Sequence, residues 1–110
     1  MKNELKKLIE LIAQDYANWT AKSAYGDDDT KAERANDFMR TLHVEEGRKY
    51  MKVIQAGSVW GFVMKADDKQ FKAGDILKAA SWAAPARNKP RGNILEGDFS
   101  WVRWTGPEYL

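Results

Sequence analysis

The sequence predicts an α+β fold in which an N-terminal two-helix segment packs on a C-terminal antiparallel β-meander. Three observations predict it. Apolar residues recur at three- and four-residue steps as far as Leu42. From Tyr50 the period drops to two, and the residues become β-branched and aromatic. Turn signals then divide the chain at short intervals: Ala56-Gly57-Ser58, Asp67-Asp68, Ala73-Gly74-Asp75 and Gly97-Asp98. The 110 residues suit a single domain, 1–110, with a helical part at 1–46 and a β part at 48–110.

Residues 3 to 24 read as the first helix. Leu5, Leu8, Ile9, Ile12, Tyr16 and Trp19 form its apolar stripe, and Asn3 is placed to cap it. Such a stripe packs in the core or along a seam between two copies, so a homo-oligomer through helix 3–24 is expected. Gly26-Asp27-Asp28-Asp29 ends this helix and opens the next, with Thr30 and Glu33 at capping-box spacing. The three Asp lack the alternating ligands and central Gly of a calcium loop, and their charge suits a helix N-terminus. Ala32, Ala35, Phe38 and Leu42 continue the second stripe to a stop before Gly47, which puts His43 at a helix end.

Tyr50–Gln55 and Val59–Lys65 read as strands joined by a hairpin turn. In the second of them Trp60, Phe62 and Met64 alternate with Val59, Gly61 and Val63. Both faces are apolar, which marks a central strand, and Gly61 marks a bulge or a close backbone contact. Ile76–Ala80 is a third strand, Ile94-Leu95 an extended return, and Phe99–Trp104 the last strand.

The chemistry concentrates in Gly74–Asn93, a strand that runs through small residues into a basic loop stiffened by Pro85 and Pro90. Trp82 offers a stacking face. Arg87 and Arg91 suit bidentate phosphate contacts, and Arg103 on the last strand can join them. Asn88 and Asn93 can donate and accept at a sugar or base edge, and Gly92 lets backbone approach a ligand. These residues form the candidate ligand-binding site.

Other chemistry is less well supplied. There is no cysteine, so disulfides and thiolate metal sites are excluded. His43 is the only histidine, and no Ser elbow, phosphate-cradling Walker loop or His-rich metal motif occurs. Asp75 and Asp98 each follow Gly in a turn, where Asp is expected on conformational grounds. The reading is therefore a non-catalytic protein with no cofactor and no metal. No segment resembles a signal peptide or a membrane span, so the expected setting is the cytoplasm, without membrane partners. The net charge of +2 fits a small nucleotide-like ligand better than a polynucleotide track. A nucleic-acid-binding accessory role and a purely structural or interaction role are the alternatives.

The run from Gly74 to Leu95, followed by Trp101-Val102-Arg103-Trp104-Thr105-Gly106, resembles small uncharacterised proteins of tailed bacteriophages. Its Lys78-Ala79-Ala80-Ser81-Trp82, Pro85-Ala86 and Arg91-Gly92-Asn93 segments are similar to the phage Thoeris anti-defence proteins. The resemblance covers the chain from Tyr50 onward, plus a helical N-terminus of similar size. It implies a homo-oligomeric sponge in the bacterial host that sequesters a cyclic ADP-ribose-type signal or cyclic nucleotide. Aromatic rings would surround adenine and arginines would hold the pyrophosphate.

Overall fold

Two helices cover one face of a four-stranded antiparallel sheet in the computed structural model, which describes residues 1–23, 26–87, 89–100 and 102–107. Helix α1 spans Lys2–Ala21 and α2 spans Asp28–Thr41. Asn3 lies inside α1 rather than capping it, because the turn begins one residue earlier and the Leu5 N–H donates to the Met1 carbonyl at 3.0 Å. At α2 the cap is Asp27, whose carboxylate accepts from the Thr30 N–H at 2.8 Å. Thr30 thus occupies the third helical position, not the cap. Asp28 and Asp29 fill the first turn, where the helix dipole favours negative charge.

Helix α2 stops at Thr41, two residues before a strand where the periodicity predicts helix. Strand β1, His43–Glu46, pairs antiparallel with β2, Tyr50–Gln55, placing His43 opposite Ile54 and Glu45 opposite Lys52. The buried, extended Leu42 redirects the chain, and Val44 finds Val53 as its partner across the ladder. Cross-strand pairing outweighs a short helical pattern here.

Strand β3, Ser58–Met64, follows a two-residue turn in which Ala56 and Gly57 both take positive φ, the geometry that matches strand twist. Strand β4, Ile76–Lys78, completes the order β1-β2-β3-β4. Between β2 and β3 the register slips: Val53 faces Gly61 while Ile54 faces Val59, which leaves Trp60 as the extra residue. This bulge changes the face on which Trp60 packs. Trp60 joins Val53, Val63, Ile76 and Ile94 under the helices, among Leu5, Leu8, Ile12 and Phe38. Phe62 and Met64 point the other way, with Phe71 and Leu77. The simple alternation that grouped Trp60 with Phe62 and Met64 is corrected accordingly. At Gly61 a Cβ would lie 2.9 Å from the Leu77 carbonyl and 3.3 Å from Pro107, so backbone and proline close on this point of the sheet.

The C-terminal region forms less strand than its sequence pattern suggests. Ile94-Leu95 belongs to a turn closed by the Asn93–Asp98 bridge. Among the described residues strand β5 comprises Val102–Arg103, paired with β6, Gly106–Pro107. Trp60 Nε1 donates to the Arg103 carbonyl at 2.6 Å, and Asp15 accepts from the Trp104 N–H at 2.8 Å. These two bonds tie the small hairpin to the sheet and to α1. Around the second, Tyr16 stacks on Phe38 at 4.1 Å, and the half-buried Trp104 meets Tyr16 edge-on at 5.1 Å. The apolar stripe of α1 thus packs within the subunit, although Trp19 at its end remains exposed.

Candidate functional site

The loop after β4 divides into two arms with different surroundings. In the first, the Ala80 and Ser81 N–H groups both donate to the Ala84 carbonyl, and the Ala84 N–H donates to Ser81 Oγ. The turn is pinned by the Ala79–Pro85 bridge and carries Trp82 near its tip, 54% exposed. Lys52 on β2 holds its ammonium 4.6 Å from the centre of the Trp82 ring. Further on, Arg87 donates to Asp68 at 2.6 Å and to the Tyr50 hydroxyl, and its guanidinium lies 4.8 Å over the Phe71 ring. This arm covers part of the face of the sheet that the helices leave free.

The second arm is drawn into the fold. The Ile76 N–H donates to the Gly92 carbonyl and the Arg91 N–H to the Ile76 carbonyl, so Arg91 and Gly92 cover the outer edge of β4. Arg91 is 3% exposed. Gly92 has φ +124°, and a Cβ there would meet the Asp98 carbonyl at 2.5 Å. Asn93, 4% exposed, donates to the Ala73 carbonyl and to Asp75, and accepts from the Leu95 and Glu96 N–H groups. Its amide is already saturated by the protein. Of the other predicted site residues, Arg103 lines a separate depression beside Trp19 and Trp104, and Asn88 lies outside the described residues. Trp82 and Arg87 therefore share one face, whereas Arg91, Gly92, Asn93 and Arg103 do not meet them there.

On that face lies a cleft of about 310 Å³. Arg48, Lys49 and Lys52 supply its positive charge, while the half-buried Tyr50 supplies an aromatic ring and the buried Phe62 lies beneath it. Glu45 and Glu46 line one side, and Ala83, next to Trp82, reaches the rim. The register explains the grouping: Glu45, Lys52 and Phe62 lie in one row across three strands, and Tyr50 is two residues from Lys52 on the same face. Tyr50 meets Phe62 edge-on with ring centres 5.6 Å apart.

Residues 1–107 match the model of a family described as a family of unknown function, DUF7717. The chain belongs to that family. No curated protein and no solved structure matches the chain.

In this DUF7717 member the wall of the cleft is held by one carboxylate. Asp68 accepts from the Phe71 and Gln70 N–H groups, from Arg87 and from Lys49 at 3.2 Å. The two backbone N–H groups and then Arg87 and Lys49 hold its carboxyl well below the usual carboxylate range. Lys65 pairs with Glu46 at 2.6 Å and fixes the opposite side. A rigid rim of this kind, with the Arg48 and Lys52 cations on the surface between, the half-buried Tyr50 beside them and Phe62 buried as the floor, can bind a small anion. Among the described residues no group of three or more acidic, His or Cys side chains is placed to hold a metal, and no helix is long and apolar enough to cross a membrane.

Sequence reasoning selected Trp82 and Arg87 but not Arg48, Lys49, Tyr50, Lys52 or Glu45. A signal for Tyr50 and Lys52 was present, since they alternate on one strand face. Assigning Glu45-Glu46 to a helix end concealed that Glu45 and Lys52 are cross-strand neighbours.

Proposed function

We propose that this protein captures a small anionic, ring-bearing metabolite of nucleotide type on the helix-free face of its sheet, without turning it over. The observation that carries the reading is the cleft itself: Arg48, Lys49 and Lys52 beside Tyr50 and Phe62, with the exposed Trp82 at its rim. Three cations within one small cleft favour phosphate, and the exposed ring of Trp82 at the rim favours a base. The side chains gathered there are ammonium, guanidinium and rings, with the Glu45 and Glu46 carboxylates along one side. Resemblance of the Lys78–Asn93 segment to phage anti-defence sponges supports capture of a cyclic ADP-ribose-like or cyclic nucleotide signal.

The ligand position proposed differs from the sequence expectation. Trp82 and Arg87 stay beside the site, and the phosphate contacts pass from Arg91 and Arg103 to Arg48, Lys49 and Lys52. Calorimetric titration with ADP, cyclic ADP-ribose isomers, cyclic mononucleotides and cyclic dinucleotides tests it. At least one should bind saturably, and Lys52→Ala should weaken that binding at least tenfold while leaving the circular dichroism spectrum unchanged. Absence of heat with every compound would overturn the proposal.

A further inference from the structure

The cleft contains a pairing that its geometry invites but the protein does not make. Glu45 and Lys52 stand directly opposite each other on β1 and β2, so their side chains rise from the same face of the sheet as neighbours. An oppositely charged pair at such a position ordinarily forms an ion pair. Here the Lys52 ammonium lies over Trp82 instead, at 4.6 Å. Glu46, next in sequence, is engaged by Lys65 at 2.6 Å. Among the described residues the ion-pair partner of Glu45 is the His43 imidazole, at 3.8 Å, and its side chain remains 57% exposed while lining the cleft. Its carboxylate presents hydrogen-bond acceptors beside the cations.

Resting on the ligand reading above, the geometry points to Glu45 as the acceptor for the vicinal hydroxyls of a ribose. The substrate class is then a ribonucleotide with an unmodified 2′-hydroxyl. The order of groups along the cleft matches such a molecule. Trp82 and Lys52 mark one end, Glu45 stands at the level of Lys52, and Arg48 and Lys49 occupy the hairpin turn beyond Tyr50. Two residues of strand separate Lys52 from Tyr50, roughly 7 Å of rise, a distance on the scale of the step from ribose to phosphate. A carboxylate can accept from both hydroxyls of a diol and fixes the sugar without contacting the base. The same negative charge disfavours a second phosphate at that position, so Glu45 selects by attraction and by repulsion.

Calorimetry with three probes, ADP, 2′-deoxy-ADP and adenosine 2′,5′-bisphosphate, reads the selection directly in the wild-type chain and in Glu45→Gln. Wild type should bind ADP about tenfold more tightly than 2′-deoxy-ADP, the scale of one lost charged hydrogen bond at a partly exposed site, and more tightly still than the 2′-phosphate. Glu45→Gln should reduce the preference against the 2′-phosphate and bring ADP and 2′-deoxy-ADP to within about threefold. Equal binding of ADP and 2′-deoxy-ADP by wild type would overturn the role of Glu45 while leaving nucleotide capture intact. A preference that persists unchanged in Glu45→Gln would do the same. Binding of none of the three would overturn this inference, and capture itself stands or falls on the wider set of cyclic compounds.

Discussion

The two arms of the loop that follows β4 are built from similar residues and have different fates. Trp82 and Arg87 lie on the open face of the sheet; Arg91 and Asn93 are buried beneath the β4 edge. Residue type does not separate them, since each arm has an arginine. Backbone hydrogen bonding does. In the first arm the turn around Trp82 closes on itself through Ala84 and Ser81, leaving the Trp82 side chain outward, and beyond it the Ala86 N–H donates to the Lys78 carbonyl of β4. The second arm satisfies the unpaired edge of Ile76, which pulls its side chains inward with it. An exposed edge must be covered by something, and this chain covers β4 with its basic loop. The difference teaches that a polar residue in a loop becomes available to a ligand only where the local backbone does not need it.

The strongest way to test that contrast is Asn93→Ala. It removes two donated and two accepted hydrogen bonds from a residue 4% exposed, and leaves Asp75 and the turn amides without their partner. The expected cost is about 3 kcal/mol, which for a chain of this size corresponds to a drop of roughly 10 °C or more in Tm. Thermal denaturation followed by circular dichroism checks it. An unchanged midpoint would mean that the arm is not structural and would return Asn93 to the list of ligand contacts.

A smaller effect is expected at Asp68, which joins the first arm to β2 through Arg87 and Tyr50. Its folded-state pKa is depressed, so its contribution is fully present above the ordinary Asp value near ~3.9 and is lost as pH falls below it toward the lower folded value. Asp68→Asn keeps an acceptor for the Phe71 and Gln70 N–H groups but loses the charge facing Arg87 and Lys49. Urea midpoints should therefore differ most at pH 7 and converge below about pH 4. A gap that stays constant with pH would show that the carboxylate charge is not what holds the arm.

Much of this architecture was legible in the sequence, because it rests on periodic apolar residues. The stripe of Leu5, Leu8 and Ile12, the hairpin at Ala56-Gly57 and the start of β4 at Ile76 follow from local pattern. What was not legible depends on contacts distant in sequence. His43–Glu46 becomes strand because β2 offers it a ladder, and Trp60 changes face because of one bulge. Asn93 looks like a ligand contact in sequence, since nothing local shows that Ala73 and Asp75 will receive its amide. The cleft depends on both kinds of information. Tyr50 and Lys52 alternate within one strand, but Glu45 joins them only through the β1–β2 register.

The smallest expected change in stability belongs to Trp82→Ala, and for that reason it sharpens the contrast between the arms most directly. The hydrogen bonds that hold its turn come from Ala80, Ser81 and Ala84, not from the indole. The ring is 54% exposed, and its contact with Lys52 is of a kind worth about 0.5 kcal/mol at a surface site. Urea denaturation read by circular dichroism should thus move by no more than roughly 0.5 kcal/mol, against about 3 kcal/mol for Asn93→Ala. Loss of the ring should instead weaken nucleotide binding at least about fivefold, since base–aromatic stacking contributes about 1–3 kcal/mol. A large aromatic side chain that costs little to remove from the fold, yet much to remove from the complex, is present for the ligand. Were Trp82→Ala to destabilise the chain as much as Asn93→Ala, the first arm would be scaffold like the second, and the cleft would lose its anchor at the rim.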